Sequence, residues 1–289
     1  MTNPVILIGV NSDVGFEVAQ RLLEAGEAVI ATARNAEQCT AIMARLPGLQ
    51  KIFPMDLGSA ENVFETLSDI VANSEIAGVI LCAAAGGHGP LETVPLATAR
   101  AALETNALAC LAVYQACMPA LRRQRGRLVL VSSVSGRITL PFVGVYQASK
   151  FALEAIADVM RLEGSMFGVK VVLVEPGGIN TKMVQRMLGA VKQELHDLPQ
   201  PALHLYGDLY KNFISLSEGA DWSQMSTAAQ VAESIVVAYR HPDPEPRYVV
   251  GADAEYLMAQ RQARSDREMD AFAMEIYGVR PLVASEDQG

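Results

Sequence analysis

The sequence predicts an α/β fold, a three-layer, doubly wound parallel sheet with helices on both faces and a helical insertion late in the chain. Three observations carry this. Strand-like apolar runs alternate with helical patterns through the first two thirds of the 289 residues, the order that builds parallel sheets. Those runs are continuously apolar, as strands buried on both faces must be. The first run leads through a glycine-containing turn into a helix, VILIGVNSDVGFEVAQRLLEAG, an arrangement that leaves the helix's first N–H groups free.

In chain order, strands are expected at Val5–Ile8, 28–33, Lys51–Pro54, 78–82, 127–132 and 169–174. Helices are expected between them at 15–25, 36–46, 60–73, 98–123 and 146–167. A helix over 227–240, with Ser226 as N-cap, then leads to an edge strand at Arg247–Val250. Residues 182–225 break the rhythm: Met183, Met187, Leu188, Tyr206, Tyr210, Phe213 and Trp222 are scattered among charges. This segment reads either as ordinary packing or as a lid over an apolar substrate, since long insertions in compact sheet proteins are often functional. A charged helical tail is expected from Tyr256 to Tyr277, within a region 256–289 whose last residues fray. The whole chain, 1–289, reads as one domain with no internal repeat.

Composition bounds the function. Hydrophobic residues make up 51%, enough for a large core. The net charge of −9 argues against nucleic acid as a partner, because phosphate backbones require a basic stripe. Cys39, Cys82, Cys110 and Cys117 form no CxxC pair, and His88, His196, His204 and His241 are scattered, so no metal site is expected. The cysteines read as small buried apolar residues of a reducing compartment. The N-terminal MTNPVILIGV lacks a basic n-region, and the longest apolar stretch, 107–121, is too short to span a bilayer. A cytoplasmic protein without membrane association is therefore expected.

The strongest chemical signal lies in VSSVSGRITLPFVGVYQASKFALEAI. Tyr146 and Lys150 are four apart at a helix start, which stacks them on one face. An ammonium one turn from a phenol stabilises phenolate and makes the phenol a usable general acid and base. Ser133, just beyond an apolar strand, can hold a substrate oxygen without a change of charge. The pair alone is common in helices. Far more specific is the series of strand, Ser-Ser, Tyr, Lys and a further strand ending in VEPGGINT.

On these residues the chain resembles the short-chain dehydrogenase/reductase family, in its classical group. The likeness runs over residues 4–255 in family order. YQASKFALEAI, FGVKVVLVEPGGINT and PEPRYVVGADA are similar to the 17β-hydroxysteroid and retinol dehydrogenase-like branch. The resemblance implies a Rossmann fold and a catalytic tetrad of Asn106, Ser133, Tyr146 and Lys150. It also implies that Asn106 kinks its helix and holds a water linked to Lys150, although a mid-helix Asn can equally point to solvent. Cofactor contacts are implied at Gly9, Asn11, Ser12, Asp13, Val14 and Gly15 in the turn. Further contacts are implied at Arg34, Asp56, Leu57, Ala84 and Gly86, then at Tyr146, Lys150, Pro176, Gly177, Ile179 and Thr181.

The cofactor turn departs from the family's TGxxxGxG. Ile8 replaces the threonine and Asp13 the middle glycine, while Gly9 and Gly15 remain. A carboxylate there can cap the helix, or it can compete with a phosphate for the same amides. The family's NNAG has become Ala83-Ala84-Ala85-Gly86, which puts the bracing of the central strands in doubt. After the second strand, no acid stands where one would bond a ribose 2′-hydroxyl, and Arg34 suits a 2′-phosphate. NADP is therefore expected, with NAD possible. Asp56 is read either as a contact to the adenine amino group or as an N-cap.

Two functions stay open at this level. One is an NADP(H)-dependent oxidoreductase that interconverts an alcohol and a carbonyl on an apolar substrate. The other, motivated by Ile8, Asp13 and Ala83–Ala85, is a non-catalytic dinucleotide-binding or regulatory protein of the same fold. The apolar helices over 98–123 and 146–167 point to a homodimer or homotetramer, or to simple burial against the sheet.

Overall fold

A computed structural model describes residues 3–221 and 225–279. Trp222 and the terminal 280–289 lie outside the described residues.

The first half alternates β1 (Val5–Ile8), α1 (Asp13–Glu24), β2 (Val29–Ala33), α2 (Ala36–Arg45), β3 (Lys51–Pro54), α3 (Ala60–Ala72) and β4 (Gly78–Leu81). Then come α4 (Leu96–Leu103), a π turn (Glu104–Leu108), α5 (Ala109–Gln124) and β5 (Arg127–Val131). After a 3₁₀ turn (Val134–Gly136) follow α6 (Gly144–Ser165) and β6 (Lys170–Pro176). The insertion is a helix pair, α7 (Lys182–Asp197) and α8 (Gln200–Gly219). The chain ends with α9 (Ala228–Arg240), β7 (Arg247–Val250), α10 (Ala252–Ala263) and α11 (Asp266–Ile276).

The sheet is seven-stranded and parallel, in the order β3-β2-β1-β4-β5-β6-β7. Strand order reverses between β1 and β4, and ligands of such sheets bind at the carboxyl ends beside that reversal. Alternate strand residues feed two cores. Ile6, Ile8, Val79, Leu81, Leu128 and Leu130 pack with α3, α5 and α6 on one face. Val5, Leu7, Ile80, Val129, Val172 and Val174 pack with α1, α2 and α9 on the other. Continuous apolar runs are thus explained by burial on both sides. The edge strands are the exceptions: Lys51 and Pro54 of β3 are exposed, and Arg247, Tyr248 and Val249 of β7 are half-buried.

Most helix starts on the sheet are satisfied locally. Ser12, Asn35 and Ser59 accept backbone N–H bonds in α1, α2 and α3. Ser226 is not the cap of α9. Thr227 takes that role in a capping box with Gln230, and the carbonyl of Ser226 accepts the amide of Asn180 instead. The expected single tail helix is two, broken at Arg264 and restarted by a Ser265–Glu268 capping box.

The helix expected over 98–123 is longer than the sequence suggested. With its π turn it runs over Leu96–Gln124, 29 residues, and by length and composition it could cross a membrane. This corrects the expectation drawn from 107–121. Its inner face, including Val113, Cys117 and Leu121, is buried in the core, as in a helix packed on a sheet.

Candidate active site

The glycines of the first turn are required by space. Gly9 has φ +85°, and a Cβ there would come within 2.7 Å of the Ala83 Cβ. A Cβ on Gly15 would strike the Gly9 carbonyl oxygen. The turn is therefore closed onto the end of β4, and the amide end of α1 faces the carboxyl edge of the sheet. Ser12 is the N-cap, accepting from Gly15 N at 3.0 Å and donating to the carbonyls of Gly9 and Cys82. Asp13 does not cap α1. Its Oδ2 accepts the backbone N–H of Lys182 at 3.0 Å, at the start of α7. The carboxylate thus turns away from the amides of its own helix.

Arg34 stands exposed just past β2, and Asn35 beside it caps α2. Asp56 is not the N-cap of α3, because Ser59 is. Its Oδ1 accepts Gly58 N at 3.1 Å and so braces the turn between β3 and α3. Leu57 is buried. Along the end of β4, Ala84 is half-buried, and the space where a Gly86 Cβ would lie is open for 4 Å. The tight Gly9–Gly15 turn, small residues over 83–86 and the amide end of α1 together fit an extended dinucleotide with its diphosphate at the helix start.

Asn106 sits in the π turn and is 1% exposed, which excludes the solvent-facing reading. Its Oδ1 accepts Ala85 N and its Nδ2 donates to Ala85 O, both at 2.8 Å. Nδ2 also donates to Ser149 Oγ at 2.8 Å, and Ser149 Oγ donates to the Tyr146 carbonyl at 2.6 Å. One side chain ties the end of β4 to the first turns of α6. Ser149 was missed in the sequence, although it lies one turn after Tyr146 on the same side of the helix.

Lys150 is 1% exposed. Its Nζ donates to the Val131 carbonyl at 3.0 Å and stands 5.8 Å from the centroid of the Tyr146 ring. A buried ammonium requires compensation, so this cation is directed to the carboxyl end of β5, where Tyr146 is half-exposed. Ser133 is buried at the same edge. Its Oγ accepts Ser135 N at 3.1 Å and donates to the Pro176 carbonyl at 3.4 Å.

The turn after β6 is held by a residue the sequence reading passed over. Asp253, at the start of α10, accepts Gly178 N at 2.6 Å, and its carboxylate fills the space a Cβ on Gly177 would need. The only signal was the GAD of PEPRYVVGADA. Ile179 bridges to Ser226, and Thr181 stands at the N-cap position of α7 without a side-chain cap bond.

Behind this turn lies an ionic cluster. Glu175, fully buried in β6, meets Arg137 Nη1 at 3.2 Å and Arg247 Nε at 2.9 Å. Arg247 also pairs with Glu154 at 3.0 Å and Asp158 at 2.9 Å. Burial, reinforced by Glu154, pushes the Glu175 carboxyl up to about 7 against the pull of both arginines. Burial opposes the charge of Arg247, but Asp158 and Glu154 outweigh it and hold its pKa above the usual arginine value. Among the cysteines, burial pushes Cys82 and Cys117 up to about 12 and Cys110 to about 11. They are packing residues rather than nucleophiles.

The insertion packs mainly on itself. Val191, Tyr210 and Phe213 form a small core with Phe142 and Tyr277, with Met187 and Tyr206 at its margin. Phe142 stacks on Phe213 at 4.4 Å and meets Tyr210 edge-on at 4.8 Å. It has φ +75°, a strained conformation for a bulky residue, held by this packing. Because Phe142 lies four residues before Tyr146, the helix pair is seated on the loop that enters α6. Met183, by contrast, is exposed.

Comparison with known proteins agrees with this geometry. Residues 3–191 match the short chain dehydrogenase family model. The chain is 30% identical over 256 residues to mouse 17-beta-hydroxysteroid dehydrogenase type 1, covering 84% of this chain and 72% of that one. It is 27% identical over 274 residues to 3-amino-tetrahydro-pyrrolizinone reductase of Xenorhabdus hominickii, covering 93% and 94%. A short-chain dehydrogenase from Streptomyces avermitilis has the same fold, with a TM-score of 0.75 at 22% identity over 96% of this chain and 99% of that one. So does a short chain dehydrogenase from Burkholderia cenocepacia in complex with NADP, with a TM-score of 0.68 at 21% identity over 94% and 98%. The chain belongs to the short-chain dehydrogenase family and is an NAD(P)-dependent oxidoreductase acting on a CH–OH group.

Proposed function

We propose that the protein interconverts an alcohol and a carbonyl on a small apolar substrate, with Tyr146 as the acid and base and NADP(H) as the preferred cofactor. The observation that carries this is the joined set Ala85–Asn106–Ser149–Tyr146, with Lys150 buried one turn away. A nicotinamide cofactor supplies or accepts the hydride when bound. Gly9, Ser12 and Gly15 shape the diphosphate turn, and Gly86 leaves room along the ribose. Tyr146 gives a proton to the substrate oxygen in reduction and takes it back in oxidation. Ser133 orients that oxygen by a hydrogen bond, and the Lys150 Nζ stands beside the Tyr146 ring, 5.8 Å from its centroid. The preference for NADP rests on the exposed Arg34 after β2 and on the lack of an acid at that position. The Burkholderia structure was obtained with NADP.

Titration of NADPH and NADH by fluorescence tests the cofactor. If NADPH binds no more tightly than NADH, the preference for NADP falls. A panel of steroid, retinoid, aromatic and aliphatic carbonyls with NADPH tests the substrate, and turnover of none of them would remove the apolar assignment.

We also propose a homodimer or homotetramer through α5 and α6. Their inner faces are buried, yet Leu108, Phe151, Val159, Leu162 and Met166 remain exposed on and beside them. Such apolar patches mark interaction surfaces. A monomer in sedimentation at micromolar concentration would remove the idea.

A further inference from the structure

Helix α7 begins badly by its own means. Thr181 makes no side-chain cap bond, the first turn holds no acidic residue, and Lys182 and Arg186 put positive charge at the end that already carries the positive pole of the helix dipole. The missing acceptor comes from 169 residues away. Asp13 Oδ2 accepts the Lys182 amide at 3.0 Å, a charge-assisted bond to the N1 position of α7. Asp13 is itself the first residue of α1, inside the Gly9–Gly15 turn. The short segment before α7 is pinned at its other end by Asp253, which accepts Gly178 N at 2.6 Å. Residues 178–182 are thus strung between two carboxylates, one belonging to α10 and one to the cofactor turn.

We propose that the α7–α8 pair is a cover over the substrate site, and that Asp13 is a positioning residue that caps α7 from the cofactor turn and so couples the seating of that cover to the state of the turn. The coupling rests on the oxidoreductase reading above, while the cap itself does not. It also answers why a carboxylate is tolerated where the family has glycine. Its charge is directed to the amide end of α7 and to the neighbourhood of two basic residues, not to the amide end of α1. A ligand that orders the cofactor turn fixes Asp13, and a fixed Asp13 holds the first turn of the cover.

Amide hydrogen exchange of the full chain tests this, with α9 as internal reference. Without cofactor, Asp13→Ala should speed exchange over 183–186 by about 2- to 30-fold, the factor of a lost helix cap, and leave α9 unchanged. Asp13→Asn, which keeps an acceptor, should fall between Asp13→Ala and the wild type. Lys182→Pro removes the donor at a position where helices tolerate proline. It should reproduce the Asp13→Ala effect, and the double variant should exchange no faster than the faster single one. Exchange over 183–186 that is unchanged in Asp13→Ala, or that adds in the double variant, overturns the cap. With saturating NADPH, exchange over 183–186 should slow in the wild type and not in Asp13→Ala. Equal slowing in both, or none in a wild type that binds NADPH, overturns the coupling. Failure of NADPH to bind would instead overturn the NADP(H) reading proposed above, and the cofactor-free arms would still decide the cap.

Discussion

The sheet with its flanking helices and the cover formed by α7 and α8 are built by different rules. On the sheet, strands share two large cores, and α1, α2, α3 and α9 each find a cap within a few residues of their own start. The helix pair shares only a small aromatic core with Phe142 and Tyr277, and polar contacts add to that tie: Asp13 to Lys182, His88 to Glu194 at 3.1 Å, and Glu92 to Tyr206. Elements that share few buried contacts with a fold open at lower free energy than its core strands. The lesson is a division of labour. The sheet is held by cores shared among many elements, whereas the helix pair depends on one small core and a few polar ties.

Four measurements can break or sharpen that contrast, from the largest effect down. Tyr146→Phe removes the proton donor on the rigid side, so turnover should fall by about 10²- to 10⁴-fold while NADPH binding persists; an active variant would refute the assignment of Tyr146. Phe213→Ala empties the aromatic centre of the cover, at a cost of about 3–5 kcal/mol. That loss should appear as proteolytic sensitivity within 182–219, with little change in the main unfolding transition. A matching fall in global Tm would mean the cover and the sheet are one cooperative unit.

The third measurement concerns pH. Glu175 is held at about 7, above the ordinary value of 4.5, so between these values the folded state binds more protons than the unfolded one. Its contribution is therefore fully present below about pH 4.5 and is lost as pH rises through 7, the reverse of an exposed salt-bridged carboxylate. Denaturant midpoints from pH 5 to 8 should decline, and Glu175→Gln should flatten the decline; an unchanged slope in the variant would exclude Glu175 as its source. Smallest is Thr227→Ala, which deletes one cap on the rigid side. It should lower global stability by about 0.5–2 kcal/mol and leave exchange in α7 untouched.

Much of this was legible in the sequence because it is local. All seven expected strands fall within two residues of those found, since burial on both faces writes a continuous apolar run in the central ones. Tyr146, Lys150 and Ser133 were legible because a helix turn and a strand end fix their spacing. The role of Asn106 was only half legible. Its position was clear, but its partners Ala85 and Ser149 are 21 and 43 residues away. Ser226 was misread as a cap because Thr227, with Gln230 three residues on, is the better one, and a one-residue shift of that kind is small in sequence.

The amino-acid order alone determined the alternation of strand and helix, the parallel sheet, the family and where the candidate site residues fall on these elements, because each depends on neighbours within a few turns or on the faces a strand must bury. Only the tertiary structure decided where long-range polar groups find partners. It sent Asp13 to the start of α7, Asp253 to the turn after β6, Arg247 to Glu175, and the aromatic residues of the insertion into a core of their own. The physical reason is that a carboxylate has many possible donors and an aromatic ring many possible neighbours. The choice among them is made by which chain ends the folded sheet brings to one edge.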